Sequence, residues 1–177
     1  DSVDIDPSSF GLQRKWASSY FSYRHYAPIH KFFASEEFRG LEQRYSFMLK
    51  VDIARCFESI YTHSISWAVR TKEFSKRNKG GFYFESIFDK RMQDANWGET
   101  NGILIGPEVS RIFAEAILQS IDVRIERTIG SLATQVSIRR YVDDFFIFGN
   151  SVDTLNQIKA ALEVAAAEFN LHINEKK

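Results

Sequence analysis

Two adjacent carboxylates, Asp143 and Asp144, stand between two apolar stretches in the segment 140–148, Arg-Tyr-Val-Asp-Asp-Phe-Phe-Ile-Phe. Aspartate favours turn geometry, so a solvated hairpin turn is one interpretation of the pair. The flanks lack the Gly or Asn that an efficient two-residue turn takes, which favours a role for the carboxylates themselves. A further acid, Asp52, lies near the end of the apolar run 45–53, where it either caps the following helix or joins the pair.

Three carboxylates on neighbouring strands would form a site for divalent metal ions. Carboxylate oxygens suit Mg²⁺ or Mn²⁺, and Mg²⁺ takes few protein carboxylates and adds substrate phosphates to its ligands. Two such ions about 3.5–4 Å apart stabilise the attacking and the leaving oxygen of an in-line phosphoryl displacement. The chemistry predicted for Asp52, Asp143 and Asp144 together is therefore phosphoryl transfer with two Mg²⁺ or Mn²⁺ ions.

The segment 100–111, Thr-Asn-Gly-Ile-Leu-Ile-Gly-Pro-Glu-Val-Ser-Arg, leads from a Gly-containing loop directly into a helix. Gly permits close approach of the backbone to a ligand, and a helix N-terminus favours anions. The alternative is an ordinary loop with a well-formed helix entry, which this segment alone favours. Arg111 either faces a phosphate or forms a surface salt bridge with Glu108 or Glu115.

These residues must be positioned by a small set of strands and helices. Period-two alternation predicts strand structure over 45–53, a hairpin within 135–149 that turns at Asp143-Asp144, and a short strand over 171–173. Helical periodicity predicts helices over 64–76, 82–92, 107–129 and 153–169, with a turn or short helix over 54–60. The order predicts an α+β fold in which helices pack on one face of an antiparallel sheet.

The ends of the helices carry recognisable signals. Ser35, followed by two glutamates, predicts the start of another helix. Pro107 is predicted at the first helical position of the longest helix, and Gly130 just beyond its end. The apolar stripe predicted for that helix comprises Val109, Ile112, Phe113, Ala116 and Ile117.

Length, composition and charge exclude several classes of protein. The 177 residues predict about one domain, 44% hydrophobic residues are ordinary for a globular chain, and the single cysteine excludes an internal disulfide framework. No apolar run approaches the roughly 18 residues of a membrane span, and the start has no signal-peptide pattern, so no membrane partner is expected. The 23 basic and 23 acidic residues give a net charge of zero, which by itself argues against nucleic acid as a partner.

Charge is nevertheless concentrated locally in the segment 70–79. Five basic residues stand there against Glu73, a net charge of +4: Arg70, Lys72, Lys76, Arg77 and Lys79. The segment is either a solvated face or a contact for a DNA or RNA strand.

The motifs together resemble the palm of reverse transcriptases. A lone acid follows an apolar strand, a Gly-x-x-x-Gly-Pro loop opens a helix, and a Tyr-Val-Asp-Asp hairpin comes next. Residues 50–60 resemble the first palm motif of that family, residues 101–107 its Gln-Gly loop motif, and residues 170–177 its later motif that ends in lysine. The resemblance extends from about residue 20 to residue 177.

The resemblance implies a role for each matching position near the metal ions. Asp52 and Asp143 would be the main metal ligands, with Asp144 beside them, and Ile53 would offer its backbone carbonyl to the second ion. Phe57, five residues after Asp52, matches the steric gate that crowds a ribose 2′-OH and selects dNTPs. A plain core position is the alternative for Phe57.

Other matches concern the nucleotide. Asn101 and Gly102 would line its pocket, although Asn stands where the family commonly has Gln. Lys177 would protonate the pyrophosphate leaving group, and Arg24 resembles a basic fingers position near the triphosphate; a solvated terminal lysine is the alternative for Lys177.

The amino-acid sequences of residues 59–68 and 105–115 resemble those of bacterial abortive-infection (AbiK-type) and other defence-associated reverse transcriptases. The subgroup implies DNA synthesis from dNTPs in the bacterial cytoplasm in anti-phage defence, and it leaves open template-independent, protein-primed synthesis and a homo-oligomer. Copying of its own RNA, as in retrons or group II introns, is one alternative. A nucleic-acid-binding scaffold with a vestigial metal site is another, against which the clustered acids argue, since they are costly without a cation.

The resemblance also implies the domain organisation. Residues 1–44 are predicted to be part of the fingers and residues 45–177 the palm, with a helical insertion on the fingers side near 64–100. The thumb of the right-hand polymerase fold is expected outside this chain, which would make the chain a palm-centred part of a longer protein.

Overall fold

The computed structural model of the chain describes residues 28–77 and 83–174. The chain divides into two compact units, Asp1–Arg44 and Tyr45–Lys177. The assignment of residues 1–44 to the fingers and of residues 45–177 to the palm stays a prediction. Among the described residues, no helix combines the length and the apolar character that crossing a membrane requires.

The described part of the first unit is a pair of short helices, α1 (Ile29–Phe33) and α2 (Glu36–Arg44). Ser35 stands between them, and its Oγ accepts a hydrogen bond of 3.1 Å from the Phe38 N–H. This is the capping geometry that the sequence predicted for Ser35, so the predicted helix start is confirmed. The rings of Phe32, Phe33 and Phe38 pack on one another with centroids 5.1–5.6 Å apart.

The second unit contains a three-stranded antiparallel sheet in the order β1-β3-β2. Its strands are β1 (Phe47–Asp52), β2 (Val136–Tyr141) and β3 (Asp144–Gly149). The predicted strand and hairpin are confirmed, but the turn lies at Val142-Asp143 and not at Asp143-Asp144. The reason is pairing, because Asp144 lies opposite Tyr141 on one side and opposite Asp52 on the other.

In the part of the chain that the structure describes, four helices lie between the first strand and the long helix: α3 (Cys56–Ser59), α4 (Ser64–Val69), α5 (Lys72–Arg77) and α6 (Phe84–Ala95). The single helix predicted over 64–76 is wrong, because α4 ends before Arg70 and α5 begins after Thr71. The Thr71 Oγ1 accepts a hydrogen bond from the Phe74 N–H, which starts the new helix. Arg70 turns away to place its Nε 3.1 Å from Glu85 of α6.

The longest helix, α7 (Glu108–Ile129), ends at a 3₁₀ turn over Gly130–Thr134. Pro107 has ψ of 137° and is the N-cap, so its predicted place at the first helical position is wrong by one residue. The predicted stripe is correct for Phe113 and Ile117, whereas Val109 is 45% exposed. The N-cap of helix α8 (Val152–Ala167) is Ser151, whose Oγ accepts a hydrogen bond from the Thr154 N–H.

The last described residues join the edge of the sheet beside β1. The strand predicted over 171–173 is reduced to one isolated antiparallel bridge between Ile53 and Ile173. Hydrogen bonds from Ala54 N–H to His172 O (2.8 Å) and from Asn174 N–H to Asp52 O (2.9 Å) flank that bridge. The C-terminal segment therefore holds the end of β1 at the point where Asp52 stands.

The core of the second unit lies between α7, α8 and one face of the sheet. Buried side chains from these elements form one cluster that includes Val51, Phe145, Ile147, Phe113, Ile117, Ile121, Leu155, Ile158 and Leu162. Each such side chain contributes about 1.5–3 kcal/mol by its removal from water. The α+β fold with helices packed on an antiparallel sheet is thereby confirmed. Because side chains alternate along a strand, Lys50, Asp52 and Asp144 point to the opposite face.

Candidate active site

Asp52 and Asp144 are brought together by the register of two antiparallel strands. They are the last residue of β1 and the first residue of β3, and they are direct cross-strand partners. Side chains of such a pair share one face, with Cβ atoms about 4.5–5.5 Å apart. Like charges at this spacing repel, and Lys50 of the same face offsets the repulsion by placing its Nζ 3.1 Å from Asp144 Oδ1.

Asp52 is the more buried of the two carboxylates, with only 8% of the residue exposed. Its Oδ2 lies 3.5 Å from the Asn174 amide nitrogen, and its backbone carbonyl accepts from the Asn174 N–H. Asn174 lies in the segment that resembles the family's later motif. That segment therefore helps to hold the end of β1 in place.

Asp143 lies in the turn next to Asp144, and its backbone carbonyl accepts a hydrogen bond of 3.2 Å from the Ile53 N–H. This contact ties the turn to the residue that follows Asp52. The three predicted carboxylates thus belong to one end of the sheet, within two adjoining segments.

The turn is strained at Val142, whose φ is +55°. A positive φ at the first turn position is typical of type II′ turns, which take Gly there. Val is β-branched and strongly disfavours this region, so the surrounding structure must impose the conformation. Backbone strain of this kind costs about 1–3 kcal/mol and is concentrated at functional sites.

Arg140, which the sequence interpretation missed, contacts this turn. Its Nη1 donates a hydrogen bond of 2.8 Å to the Val142 carbonyl. The same guanidinium donates to Glu115 at 2.7 and 3.0 Å and to Asp122 at 2.9 and 3.0 Å, both on α7. The sequence could have identified Arg140, because strand alternation places it on the core side of β2, and a buried cation requires acidic partners.

Burial and pairing within this cluster shift the pKa of each member. Burial disfavours the charge of Arg140, but its bonds to Glu115 and Asp122 outweigh that effect and raise its pKa above the ordinary value. Burial also opposes the charge of Glu115, yet Arg140 keeps the pKa of that carboxyl below its ordinary value. At Asp122 burial prevails, and the pKa lies above the ordinary value. Arg140 and Glu115 therefore each stabilise the charged form of the other.

Cys56, the single cysteine of the chain, lies buried beneath this end of the sheet. Burial, aided by the charges of Asp143 and Glu115 and opposed by Arg140, raises the pKa of its thiol to about 12. Because the thiolate is the reactive form, we expect no reaction of the folded chain with Ellman's reagent near pH 8 and one equivalent in urea. An unfolded thiol ionises near pH 8.5, so the stability that the neutral thiol contributes falls as pH rises from there towards 12. Reaction of one equivalent in the folded state would contradict this burial.

The loop before α7 is attached to the segment that carries Phe57. The Ile103 N–H donates to the Phe57 carbonyl and the Gly102 N–H to the Ile60 carbonyl, each at 2.8 Å. Asn101 forms an isolated bridge with Tyr61. Gly102 is buried and Asn101 exposed, while Phe57 is half-buried against the core. Phe57, Asn101 and Gly102, predicted separately to contact the nucleotide, therefore belong to one hydrogen-bonded unit.

Gly102 must be glycine for two reasons, and both are testable. Its φ is +85°, and a Cβ there would meet the Glu58 carbonyl oxygen at 3.1 Å. We expect Gly102→Ala to lower the free energy of unfolding by about 1–3 kcal/mol. Gly98 is the matched control, because its φ is +82° but no described residue comes within 4 Å of its Cβ position. Urea unfolding of Gly102→Ala and Gly98→Ala separates the effect of the contact from that of backbone strain. Equal losses of unfolding free energy in the two variants would contradict a steric role for Glu58.

The basic residues predicted to bind nucleic acid differ in whether other side chains already contact them. Arg70 pairs with Glu85 and stacks on Phe74 and Tyr83, and Lys72 Nζ lies 4.4 Å from the ring centre of Trp67. Lys76 and Arg77 are exposed on α5. Lys79, Arg24 and Lys177 lie outside the described residues. A role in nucleic-acid binding stays a prediction for all of these positions.

Arg111 forms a salt bridge with Glu108 in the first turn of α7. Of the two alternatives that the sequence left open for this residue, the salt bridge is the one present. Glu115 instead pairs with Arg140.

The donor set at the end of the sheet fits a hard divalent cation, because carboxylate and backbone carbonyl oxygens are the ligands that Mg²⁺ and Mn²⁺ prefer. As the side chains stand within residues 28–77 and 83–174, no three His, Cys, Asp or Glu residues are grouped closely enough to hold one metal ion. Asp144 is directed towards Lys50, so its carboxylate would have to turn from that contact to join Asp52. The two-ion site stays a prediction.

Comparison with known proteins decides the family. The family model described as reverse transcriptase (RNA-dependent DNA polymerase) matches residues 11–177. The chain belongs to the reverse transcriptase family. A search of curated proteins finds no match to it. This reverse transcriptase chain is also similar to a solved structure of apo telomerase from Candida tropicalis truncated from the C-terminal domain, with a TM-score of 0.57 and 16% identity.

The structural similarity covers 84% of this chain and 34% of the telomerase chain, so the chain spans about a third of that protein's length. At this identity the similarity establishes the fold alone. The predicted fold of a reverse transcriptase palm with part of the fingers is confirmed at this level, and so is the predicted membership of the family.

Proposed function

We propose that this chain carries the nucleotidyl-transfer site of a DNA polymerase that joins dNTPs on a DNA or RNA strand. The observation that carries the proposal is the register of β1 and β3, which sets Asp52 opposite Asp144 with Asp143 in the adjoining turn. Membership of the reverse transcriptase family supports the reaction class. Two acids therefore face one another at the end of the paired strands.

Two Mg²⁺ or Mn²⁺ ions, when bound, would neutralise charge on the attacking and leaving oxygens of the phosphoryl transfer. Asp52, Asp143 and Asp144 would hold them, with the Ile53 carbonyl as a further ligand. Lys50 reduces the repulsion between the Asp52 and Asp144 carboxylates, because it offsets the charge of Asp144. Asn174 and the Ile53 N–H keep Asp52 and the turn at a set position along the sheet.

The nucleotide would lie between this end of the sheet and the unit formed by Phe57, Asn101 and Gly102. Phe57 comes four positions after Ile53 in the chain, so the sugar and the reacting phosphate would be held by one continuous segment. Exposed Lys76 and Arg77 on α5 would contact the phosphates of the strand, and Arg70, Lys72 and Lys79 are proposed as further contacts. Lys177 would protonate the pyrophosphate, and Arg24 would contact the triphosphate.

We place the protein in the anti-phage abortive-infection group of bacterial reverse transcriptases, which act in the bacterial cytoplasm. The support is the resemblance of the amino-acid sequence at residues 59–68 and 105–115 to that group. Synthesis without a template, started from a protein hydroxyl, belongs to this proposal.

The test is incorporation of labelled dNTPs by the full-length protein with Mg²⁺, with and without added template and primer. Mg²⁺-dependent incorporation is expected, and incorporation without template favours the abortive-infection group. Strict template dependence would instead favour a retron or group II intron type. Binding of a labelled strand with no incorporation under any condition would reject the polymerase in favour of a vestigial scaffold. Light scattering on the same sample tests for a homo-oligomer.

A further inference from the structure

We infer that Arg140 is a positioning residue that sets the conformation of the Val142-Asp143 turn and thereby the placement of the Asp143 carboxylate. The inference rests on the proposed function only where it concerns metal binding. The geometric part stands on the contacts of the guanidinium and can be tested without a metal ion.

The contacts of Arg140 divide into two kinds. Of the five hydrogen bonds that it donates to described residues, four end on the carboxylates of Glu115 and Asp122, and one ends on the Val142 carbonyl. The carboxylate bonds attach β2 to α7 and would by themselves describe a structural ion cluster. The carbonyl bond does something different, because it holds the peptide between the two turn residues.

The turn needs such a restraint. Val142 has φ of +55°, a region that a β-branched residue avoids unless other contacts hold it there. Asp143 follows directly, so rotation of that peptide would change the placement of its carboxylate at this end of the sheet. The planar guanidinium suits the task, because its rigid set of donors addresses two acids and a carbonyl at once, whereas lysine offers a single point charge.

The turn has a built-in reporter of its position. The Ile53 N–H donates to the Asp143 carbonyl at 3.2 Å, across from the turn. If the turn moves, this bond opens and the Ile53 amide exchanges its hydrogen faster. Amide exchange at Ile53 therefore measures the position of Asp143 in the metal-free chain.

The decisive variant is Arg140→Lys, which keeps the positive charge beside Glu115 and Asp122 and removes the fork that reaches Val142. We expect exchange at Ile53 to accelerate about tenfold while amides in the middle of β3 keep their protection. Affinity for Mn²⁺, measured by calorimetry on the full chain, is expected to fall about 10- to 100-fold, the range for residues that orient metal ligands. Arg124→Lys is the matched control, since Arg124 pairs with Glu168 and touches no part of the turn.

A second substitution separates positioning from general stability. Gly adopts a positive φ without strain, so Val142→Gly in the Arg140→Lys background is expected to restore protection at Ile53 and most of the Mn²⁺ affinity. A merely structural ion cluster would not be rescued by a change at Val142.

Unchanged exchange at Ile53 in Arg140→Lys overturns the inference, and so does uniform loss of protection across β2 and β3 that Val142→Gly does not rescue. Wild-type chain that binds no Mn²⁺, with exchange behaving as expected, would reject the metal site of the proposed function and leave the positioning role established.

Discussion

Replacing Asp143 with asparagine is expected to reduce nucleotide incorporation by at least about 10²- to 10³-fold in kcat, the scale of losing one electrostatic contact to a transition state. Asn is nearly the same size as Asp, so the turn and its bond to the Ile53 N–H should persist. What disappears is one negative charge beside the Asp52 and Asp144 pair. Fewer charges bind divalent cations less tightly, and the substrate phosphates lose the ions that would neutralise them.

The measurement is single-turnover incorporation of a labelled dNTP at several Mg²⁺ concentrations, with thermal unfolding to verify the fold. Asp153→Asn is the matched control, because Asp153 is an exposed acid in the first turn of α8. That control should retain wild-type rates. A folded Asp143→Asn variant with wild-type incorporation would remove Asp143 from the catalytic set and with it the proposed two-ion mechanism.

The facing carboxylates could be predicted because strand alternation has a period of two residues. Leu49 and Val51 must face the core, and the residues between and after them, Lys50 and Asp52, then face the other side. The same logic applied to Phe145 places Asp144 on the face of Asp52. This pattern does not contain the register, and the family resemblance brought both motifs to one palm without fixing which residues are cross-strand partners.

Two of the errors have a common physical cause, namely contacts between elements that are distant in the chain. The helix predicted over 64–76 is broken because Arg70 reaches Glu85, fifteen residues away. The turn moved by one residue because Asp144 pairs with Asp52, which lies on another strand. The helix and turn propensities of individual residues carry no information on either contact. Where such contacts form, they override the propensities.

The Arg140 cluster illustrates a further limit of reading one sequence. Charge counting located the basic segment 70–79 and passed over Arg140, whose charge is cancelled by two acids on α7. Glu115 and Asp122 are seven residues apart, two helical turns, and so lie on the same side of that helix. Such a cluster enters the net charge without describing the surface, so the zero net charge of the chain neither excludes nor indicates a phosphate-binding site.

The second large effect is expected from Phe57, and it concerns which sugar is accepted. Phe57→Val is expected to leave dNTP incorporation within a few-fold of wild type and to raise kcat/KM for rNTPs, so that discrimination falls about 10- to 200-fold. The reason is steric, since a ring that fills the space beside the sugar excludes a 2′-OH, and Val vacates part of that space. The Phe57 carbonyl bond to the Ile103 N–H is a backbone contact and survives the substitution.

Incorporation of each dNTP in competition with its rNTP directly measures the ratio of the two kcat/KM values. Phe88→Val is the matched control, because Phe88 is also a half-buried phenylalanine packed on the core, with its ring 5.0 Å from that of Phe113. The control should lose stability and keep its selectivity. If both variants lose similar stability and both keep the wild-type ratio of dNTP to rNTP, Phe57 is a core residue, and sugar selection must come from another part of the nucleotide pocket.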